Sequence, residues 1–246
     1  MDFAEIDKLK ARLDARRPLD PAIVRNLHED LIVRWTYHSN AIEGNTLTLQ
    51  ETKVALEGIT IGGKTLREHL EAINHRDAIL YLESLVADPA PFSEWQINSL
   101  HQLILRGIDN DNAGRYRQVN VRISGAEHLP PDALKVAELM SGFLDWYHGA
   151  AASLHPVERA ARVHSDFVKI HPFVDGNGRT SRLLMNLELV KAGFPAAVLP
   201  VSERLNYYQA LDEDHVRGNG QPFLELIARC VVQSFEPYWH ALGENG

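Results

Sequence analysis
This chain is poor in cysteine, in long apolar runs and in positive charge, and each shortage removes a class of function. Cys230 is the only cysteine among 246 residues, so no intrachain disulfide can form and nothing points to an oxidising compartment. It lies in the apolar run from Ile227 to Val232, a setting that suits a small core residue better than a nucleophile. No apolar run approaches the length needed to span a membrane. The first residues, Met1-Asp2-Phe3-Ala4-Glu5-Ile6-Asp7-Lys8, lack the basic start and apolar block of a signal peptide. Acidic residues outnumber basic ones, 33 to 25, for a net charge of −8, which argues against the basic face of a general nucleic-acid binder. Repeats, low-complexity tracts and long linkers are also missing. The expectation is a cytoplasmic protein of ordinary globular composition, with neither nucleic acid nor membrane among its partners.

What the sequence does contain is a series of helix starts. Residues 3–15 form a short charged amphipathic segment. Asp20-Pro21 combines an N-cap with proline at the first helical position. Val24, Leu27, Leu31 and Trp35 follow at helical spacing, and the helix is expected to run into Ser39-Asn40-Ala41-Ile42-Glu43 and stop at Gly44-Asn45. Thr48 with Glu51, Thr65 with Glu68 and Ser93 with Gln96 repeat a capping-box pattern. They open helices ending at Gly58, at about Val86 and near Leu105, the second with Leu66, Leu70, Ile73 and Leu80 on one side. Further helices are expected over 132–147, 156–169, 202–216 (with Ser202 as N-cap) and 223–241, with Gly218-Asn219-Gly220 as a turn. One stretch departs from this pattern. From Gln118 to Ser124 polar and apolar residues alternate, with Val119, Val121 and Ile123 on one face between Gly114 and Gly125, which is strand periodicity. The fold class read from these signals is all-α with one short β-hairpin flap.

The densest chemistry lies in His171-Pro172-Phe173-Val174-Asp175-Gly176-Asn177-Gly178-Arg179-Thr180-Ser181-Arg182. Leu183, Leu184, Leu187 and Val190 follow at three- and four-residue steps, with Gly193 at a C-cap position. Gly-Asn-Gly therefore opens a helix, where unpaired backbone N–H groups and the helix dipole favour an anion. Arg179 and Arg182, three apart, can reach one polyphosphate. Asp175 would repel that anion, so a carboxylate there makes sense with a hard cation such as Mg²⁺ between them. Taken singly, these residues are equally well read as a glycine turn, a capping acid and two solvated arginines. Two glycines without a third, and without a Walker A lysine, make no dinucleotide or P-loop fingerprint.

Taken whole, the run matches the HPFxDGNGRxxR signature without a departure, and the chain resembles the Fic-domain enzymes. A second motif agrees. Ser39-Asn40-Ala41-Ile42-Glu43-Gly44 fits the pattern Ser/Thr-x-x-x-Glu-Gly/Asn of the autoinhibitory helix, placed upstream as in the N-terminally inhibited class. The similarity runs from about Trp35 to Cys230. It implies a Fic domain over 35–246, with the inhibitory helix at about 35–44, and a helical extension over 1–34. The resemblance implies a protein adenylyltransferase that moves AMP from ATP to a Ser, Thr or Tyr hydroxyl of a target protein. His171, with an unperturbed pKa of about 6.5 and so largely neutral at pH 7, would accept the hydroxyl proton. Asp175 would hold Mg²⁺, Gly176, Asn177 and Gly178 would line the anion hole, and Arg179 and Arg182 would bind the β- and γ-phosphates. Phe173 would anchor the loop in the core. Glu43 would pair with Arg182 in the place the γ-phosphate needs, braced by Ser39. Gly114-Arg115-Tyr116-Arg117 and the segment after it look like the family's flap, where Val119, Asn120 and Val121 would pair with an extended target through the main chain. Tyr207 and Tyr208 fall where relatives place aromatic residues around the adenine, or else they are half-buried core. His215 replaces an asparagine that close relatives turn toward the nucleotide.

Other readings compete. Doc-type phosphate transfer, with the nucleotide reversed, goes with lysine where this chain has Gly178. His155, His164 and His171 lie close in sequence, as in a metal-dependent hydrolase, yet their spacing matches no zinc motif. A non-enzymatic nucleotide-binding regulator, locked by Glu43, has no need of His171. Removal of AMP from modified targets would use the same site, with Glu43 positioning a water. Self-modification and a homodimer complete the expectations.

Overall fold
The computed structural model describes residues 2–87 and 90–244; the expected limits at Met1 and Gly246 lie outside them. Eleven α-helices make up the described fold: α1 Ala4–Asp14, α2 Pro21–Ile42, α3 Leu49–Leu56, α4 Leu66–Ala87, α5 Glu94–Leu105, α6 Val136–His148, α7 Pro156–Ile170, α8 Asn177–Lys191, α9 Arg204–Arg217, α10 Gln221–Gln233 and α11 Glu236–Ala241. Local chemistry sets several of their starts. Asp20 accepts from the Ala22 N–H at 2.7 Å ahead of Pro21. Thr48 and Glu51 exchange both capping-box bonds, and so do Thr65 and Glu68. The expected boundary between residues 34 and 35 lies inside α2.

The antiparallel pair α7–α8 forms the middle layer. On one side α2, α4 and α5 pack against α8; on the other α6, α9 and α10 pack against α7. From Arg179 to Leu189 every residue of α8 is buried, which is the pattern of a helix surrounded on all faces. Leu183, Leu184, Leu187 and Leu189 are at most 1% exposed, each contributing roughly 1.5–3 kcal/mol by burial. A helix so enclosed must also bury its polar residues, and these need partners. Asn186 finds them in the main chain of Ala197, accepting from its N–H at 2.8 Å and donating to its carbonyl at 3.0 Å. Cys230 is a buried core residue whose thiol pKa burial pushes up to about 12.

Several expectations change. No strand forms among the described residues, and 118–124 is an irregular segment without a pairing partner. Its alternating pattern is a surface feature with no second strand beside it. The core side of α4 is His69, Ala72, Asn74, His75, Ala78, Ile79 and Leu82, while Leu66 is 73% and Leu80 44% exposed. Polar groups on that side find partners on other helices: Asn74 donates to the carbonyls of Ile104 and Arg106, and His75 Nδ1 meets Thr36 Oγ1 at 3.3 Å, while its Nε2 is buried without a hydrogen bond. Of the four apolar residues marked on α2, Trp35 is buried and Val24 is exposed. Ser202 caps nothing, since it lies in a 3₁₀ turn, Val201–Glu203, closed by Glu203 N–H on Pro200 O. The expected helix over 223–241 breaks after Gln233, because Pro237 brings no N–H and its ring would meet the Gln233 carbonyl. No helix among the described residues is long and apolar enough to cross a membrane.

Candidate active site
The loop between α7 and α8 carries the site, and its shape follows from a few residues. His171 ends α7 in the left-handed region, with φ 52°, the only non-glycine at positive φ among the described residues. Its carbonyl accepts from Arg117 Nε at 2.8 Å. Phe173 is fully buried and stacks on His101, with ring centroids 3.5 Å apart. His101 accepts from the Gly114 N–H at Nδ1 and so donates from Nε2 to the Asp175 carbonyl, at 2.8 Å. This one imidazole ties α5, the start of the flap segment and the loop together. Gly176 lies at φ 78°, and a Cβ there would also crowd His101.

The start of α8 has no side-chain cap, so its first-turn N–H groups are those that no helix bond satisfies. The Asn177 side chain is committed elsewhere, exchanging bonds of 2.9 Å with the N–H and carbonyl of Phe173. It shapes the loop, and only its backbone is left to face an anion. Arg179 and Arg182 are each 2% exposed. Arg179 Nη2 lies 3.3 Å from Asp175 Oδ1 and Nη1 lies 3.4 Å from Glu71 Oε1. Its Nε and Nη1 are nevertheless buried without a hydrogen bond. Such donors cost roughly 1–3 kcal/mol each until an acceptor arrives.

Arg182 is held chiefly by the last turn of α2 and its C-cap. Its Nη2 donates to Glu43 Oε1 at 2.8 Å and to the Ser39 carbonyl at 2.8 Å, and Nε donates to Ser39 Oγ at 3.0 Å. Glu43 lies directly against Gly178, where a Cβ would overlap its Oε1. Glycine is needed at 178 for the glutamate to sit there. Asn45, two residues beyond Glu43, is held by Glu71 Oε2 at 2.9 Å and by the Glu68 carbonyl.

The charge states follow from burial. The His171 pKa is pushed down to about 4, chiefly by burial. The backbone of Val168 and the Glu43 carboxylate pull it up, while Arg117 and His128 push it further down. Its Nδ1 is buried without a well-formed hydrogen bond, and the ring is neutral at pH 7. Asp175 is held below the usual carboxylate range, although burial opposes this, by Arg179, the Gly176 N–H and Arg67.

Other predicted residues lie around this core. Tyr207 is buried under Arg182, its hydroxyl 3.5 Å from Arg182 Nη1 and 3.2 Å from His164 Nε2. Tyr208 donates to the Ile42 carbonyl at 3.1 Å. His215 turns toward α7, with Nε2 3.0 Å from the Ser165 carbonyl. Val119 and Asn120 are exposed and Val121 half-buried, and Asn120 Oδ1 accepts from the Ala133 N–H at 2.7 Å. His155, His164 and His171 are spread along α7 as its N-cap, its middle and its C-cap. A groove of 1310 Å³ between the first half of α2 and α10–α11 includes none of the site residues. The space above Gly178 is taken by Glu43. Sequence reading missed Arg67, Glu71 and His101; no local signal marks them, since each acts on a loop more than 70 positions away or on residues of another helix.

Comparison with known proteins fits this geometry. The pattern of the Fic/DOC family matches residues 91–189. A protein adenylyltransferase Fic from Nematostella vectensis is 38% identical over 243 residues, covering 97% of this chain and 56% of that protein. The protein of the same name from Drosophila willistoni is 36% identical over 244 residues, 98% of this chain and 48% of its own length. The chain thus spans about half the length of these curated relatives. A solved Fic-1 fragment from C. elegans superposes with a TM-score of 0.89 at 32% identity, covering 98% of this chain and 72% of the fragment. A Fic-domain signaling protein from Bacteroides thetaiotaomicron gives 0.90 at 28% identity, covering 98% and 99% of the two chains. With the signature loop, the helical layers and these relatives in agreement, the chain belongs to the Fic/DOC family.

Proposed function
We propose that this chain is a protein adenylyltransferase that moves AMP from ATP to a Ser, Thr or Tyr hydroxyl of a target protein, and that Glu43 restrains it. The observation that carries the reading is the Glu43–Arg182 pair set against Gly178, at the open end of an uncapped helix with two buried arginines. With Glu43 in place, the donors that would receive the outermost phosphate are occupied by a carboxylate. Relatives that bear the name protein adenylyltransferase support the reaction class.

The chemistry is a displacement at the α-phosphorus. Neutral His171 accepts the target hydroxyl's proton, through Nε2, and this general-base contribution is worth roughly 10²–10⁴-fold. The hydroxyl oxygen forms its bond to phosphorus as the bond to the bridging oxygen breaks, and pyrophosphate leaves. Arg179 and Arg182 take the β- and γ-phosphates, and the backbone N–H groups of Asn177 and Gly178 face the developing charge, while the expected contribution of Gly176 is spent on Asp175, whose Oδ1 accepts its N–H at 2.6 Å. No three His, Cys, Asp or Glu side chains among the described residues form a metal cage. Asp175, a single carboxylate 44% exposed beside an anion site, fits Mg²⁺, which takes one or two carboxylates together with substrate phosphates. That ion, when bound, would neutralise phosphate charge. Doc-type transfer goes with a lysine at this position, where the chain has Gly178. AMP removal is the second reading: Arg182 engages Glu43 Oε1, which leaves Oε2 for a water.

Glu43→Gly, incubated with ATP labelled at the α- or the γ-position, tests the assignment. The expected result is α-label alone on the protein itself or on a supplied target, at a rate at least about tenfold above the unsubstituted chain. Label from the γ-position would overturn the nucleotide's orientation. A rate no higher than that of the unsubstituted chain would remove the restraint by Glu43. Absence of both labels, with ADP still bound, would favour a regulator or AMP removal, and a pre-adenylylated substrate would separate those two.

A further inference from the structure
The second residue of α4, Arg67, reaches across to the signature loop. Its Nη2 donates to Asp175 Oδ2 at 2.7 Å, and its Nε to Glu71 Oε1 at 3.1 Å. The other Asp175 oxygen, Oδ1, accepts from the Gly176 N–H at 2.6 Å and lies 3.3 Å from Arg179 Nη2. The two oxygens of Asp175 therefore have different tasks. Oδ1 is built into the start of α8, while Oδ2 faces outward and is taken by a side chain from another helix. Arg67 is 57% exposed, so its hold on Asp175 is an exposed ion pair and weak in energy terms.

We propose that Arg67 is a resident counter-cation for Asp175, which the divalent ion arriving with the nucleotide must displace. This rests on the reading of Asp175 as the metal carboxylate. A hard cation and a guanidinium compete for the same outward oxygen, because both need its lone pairs. Release leaves Arg67 paired, since its Nε already has Glu71. Arg179 meets Asp175 only through Oδ1, and its buried Nε and Nη1 are without a hydrogen bond. Glu71 joins this contact to the inhibitory turn, since Oε1 serves Arg67 and Oε2 holds Asn45 just past Glu43. The cation's place and the Glu43 turn thus share one carboxylate.

The test is calorimetric and independent of turnover. The affinity of the intact chain for ADP is measured with EDTA and with Mn²⁺, and the ratio of the two reports the metal's contribution. In Arg67→Ala the ratio should rise about 1.5- to fivefold, as expected for removal of an exposed competing pair. In Asp175→Asn it should fall close to one. Arg67→Lys, which keeps the charge and loses the fork, should lie between the unsubstituted chain and Arg67→Ala, and thermal melting checks that each variant is folded. An unchanged or lower ratio in Arg67→Ala, with Asp175→Asn near one, overturns the proposal and leaves the metal reading standing. A ratio in Asp175→Asn equal to that of the unsubstituted chain overturns both. Weaker ADP binding in EDTA for Arg67→Ala, with the ratio unchanged, would make Arg67 a phosphate ligand and also overturns it.

Discussion

The two sides of His171 are built by opposite means. On the side proposed for the nucleotide, Arg179, Arg182, Asn177 and Ser39 are all at most 2% exposed, and every one is fixed by named bonds or ion pairs. On the side proposed for the target, Val119 and Asn120 are exposed on a segment with no strand partner among the described residues. That segment is held at its base by Arg117, which is 1% exposed and donates to the carbonyls of His171, Val119 and Pro131. A buried, crosslinked pocket is suited to one ligand of fixed shape, since its donors are set before the ligand arrives. An exposed segment with unpaired main-chain groups is suited to many partners, because strand addition reads backbone more than side chain. One side would select the nucleotide; the other would accept whatever extended segment carries a hydroxyl.

His171 stands between them, and removing it should give the largest effect. His171→Ala in a Glu43→Gly background should lower transfer by about 10²–10⁴-fold, with ADP affinity within about twofold of the parent by calorimetry. Affinity lost to the extent seen in Arg182→Ala would make His171 a part of the nucleotide side, and the division would fail there.

Arg117 offers a way to break the target side alone. Arg117→Met leaves three carbonyls without their charged donor, each such bond worth roughly 1.5–3 kcal/mol in general. Transfer to a protein target should fall about ten- to hundredfold, partly restored in Arg117→Lys, while ADP affinity stays within about twofold. Equal losses of transfer and of ADP binding would show that the two sides are one mechanical unit, joined through the His171 carbonyl.

The sequence was far more informative about the nucleotide side. The run from His171 to Arg182 is contiguous, and Ser39 and Glu43 sit one helical turn apart, so each half is legible locally, while their meeting across 139 positions was expected only from the family resemblance. Capping boxes at Thr48, Thr65 and Ser93 likewise state their helices in four residues each. What stayed hidden depends on contacts distant in the chain. Arg67 meets Asp175 across 108 positions and Arg117 meets His171 across 54, and neither leaves a mark in its neighbours. The strand period at 118–124 has no strand to match it among the described residues, for a related reason. Alternation shows which side chains share a face, and it is silent on whether a second strand lies alongside. The burial of Asn74 and His75 on α4 in place of Leu66 and Leu80 has the same origin, since their partners Ile104, Arg106 and Thr36 come from other helices.

The smallest expected effect is also the sharpest test of how the target side reads its partner. Val119 is 58% exposed, and its side chain faces solvent in the resting protein. If the target pairs with main-chain groups, Val119→Thr keeps the backbone, the β-branch and nearly the same volume. Transfer to a given target in the Glu43→Gly background should then change by less than about 2.3-fold, the equivalent of the ±0.5 kcal/mol usual for surface substitutions. Val121→Pro is the matched control, since it removes an N–H from the pairing edge, and it should cost clearly more. The measurement is transfer to two targets of unrelated sequence. Similar small changes for both, with a larger loss from the proline, would fit a flap that reads backbone. A tenfold loss on one target but not on the other would mean that the Val119 side chain selects partners, and the target side would then be as specific in its way as the nucleotide side.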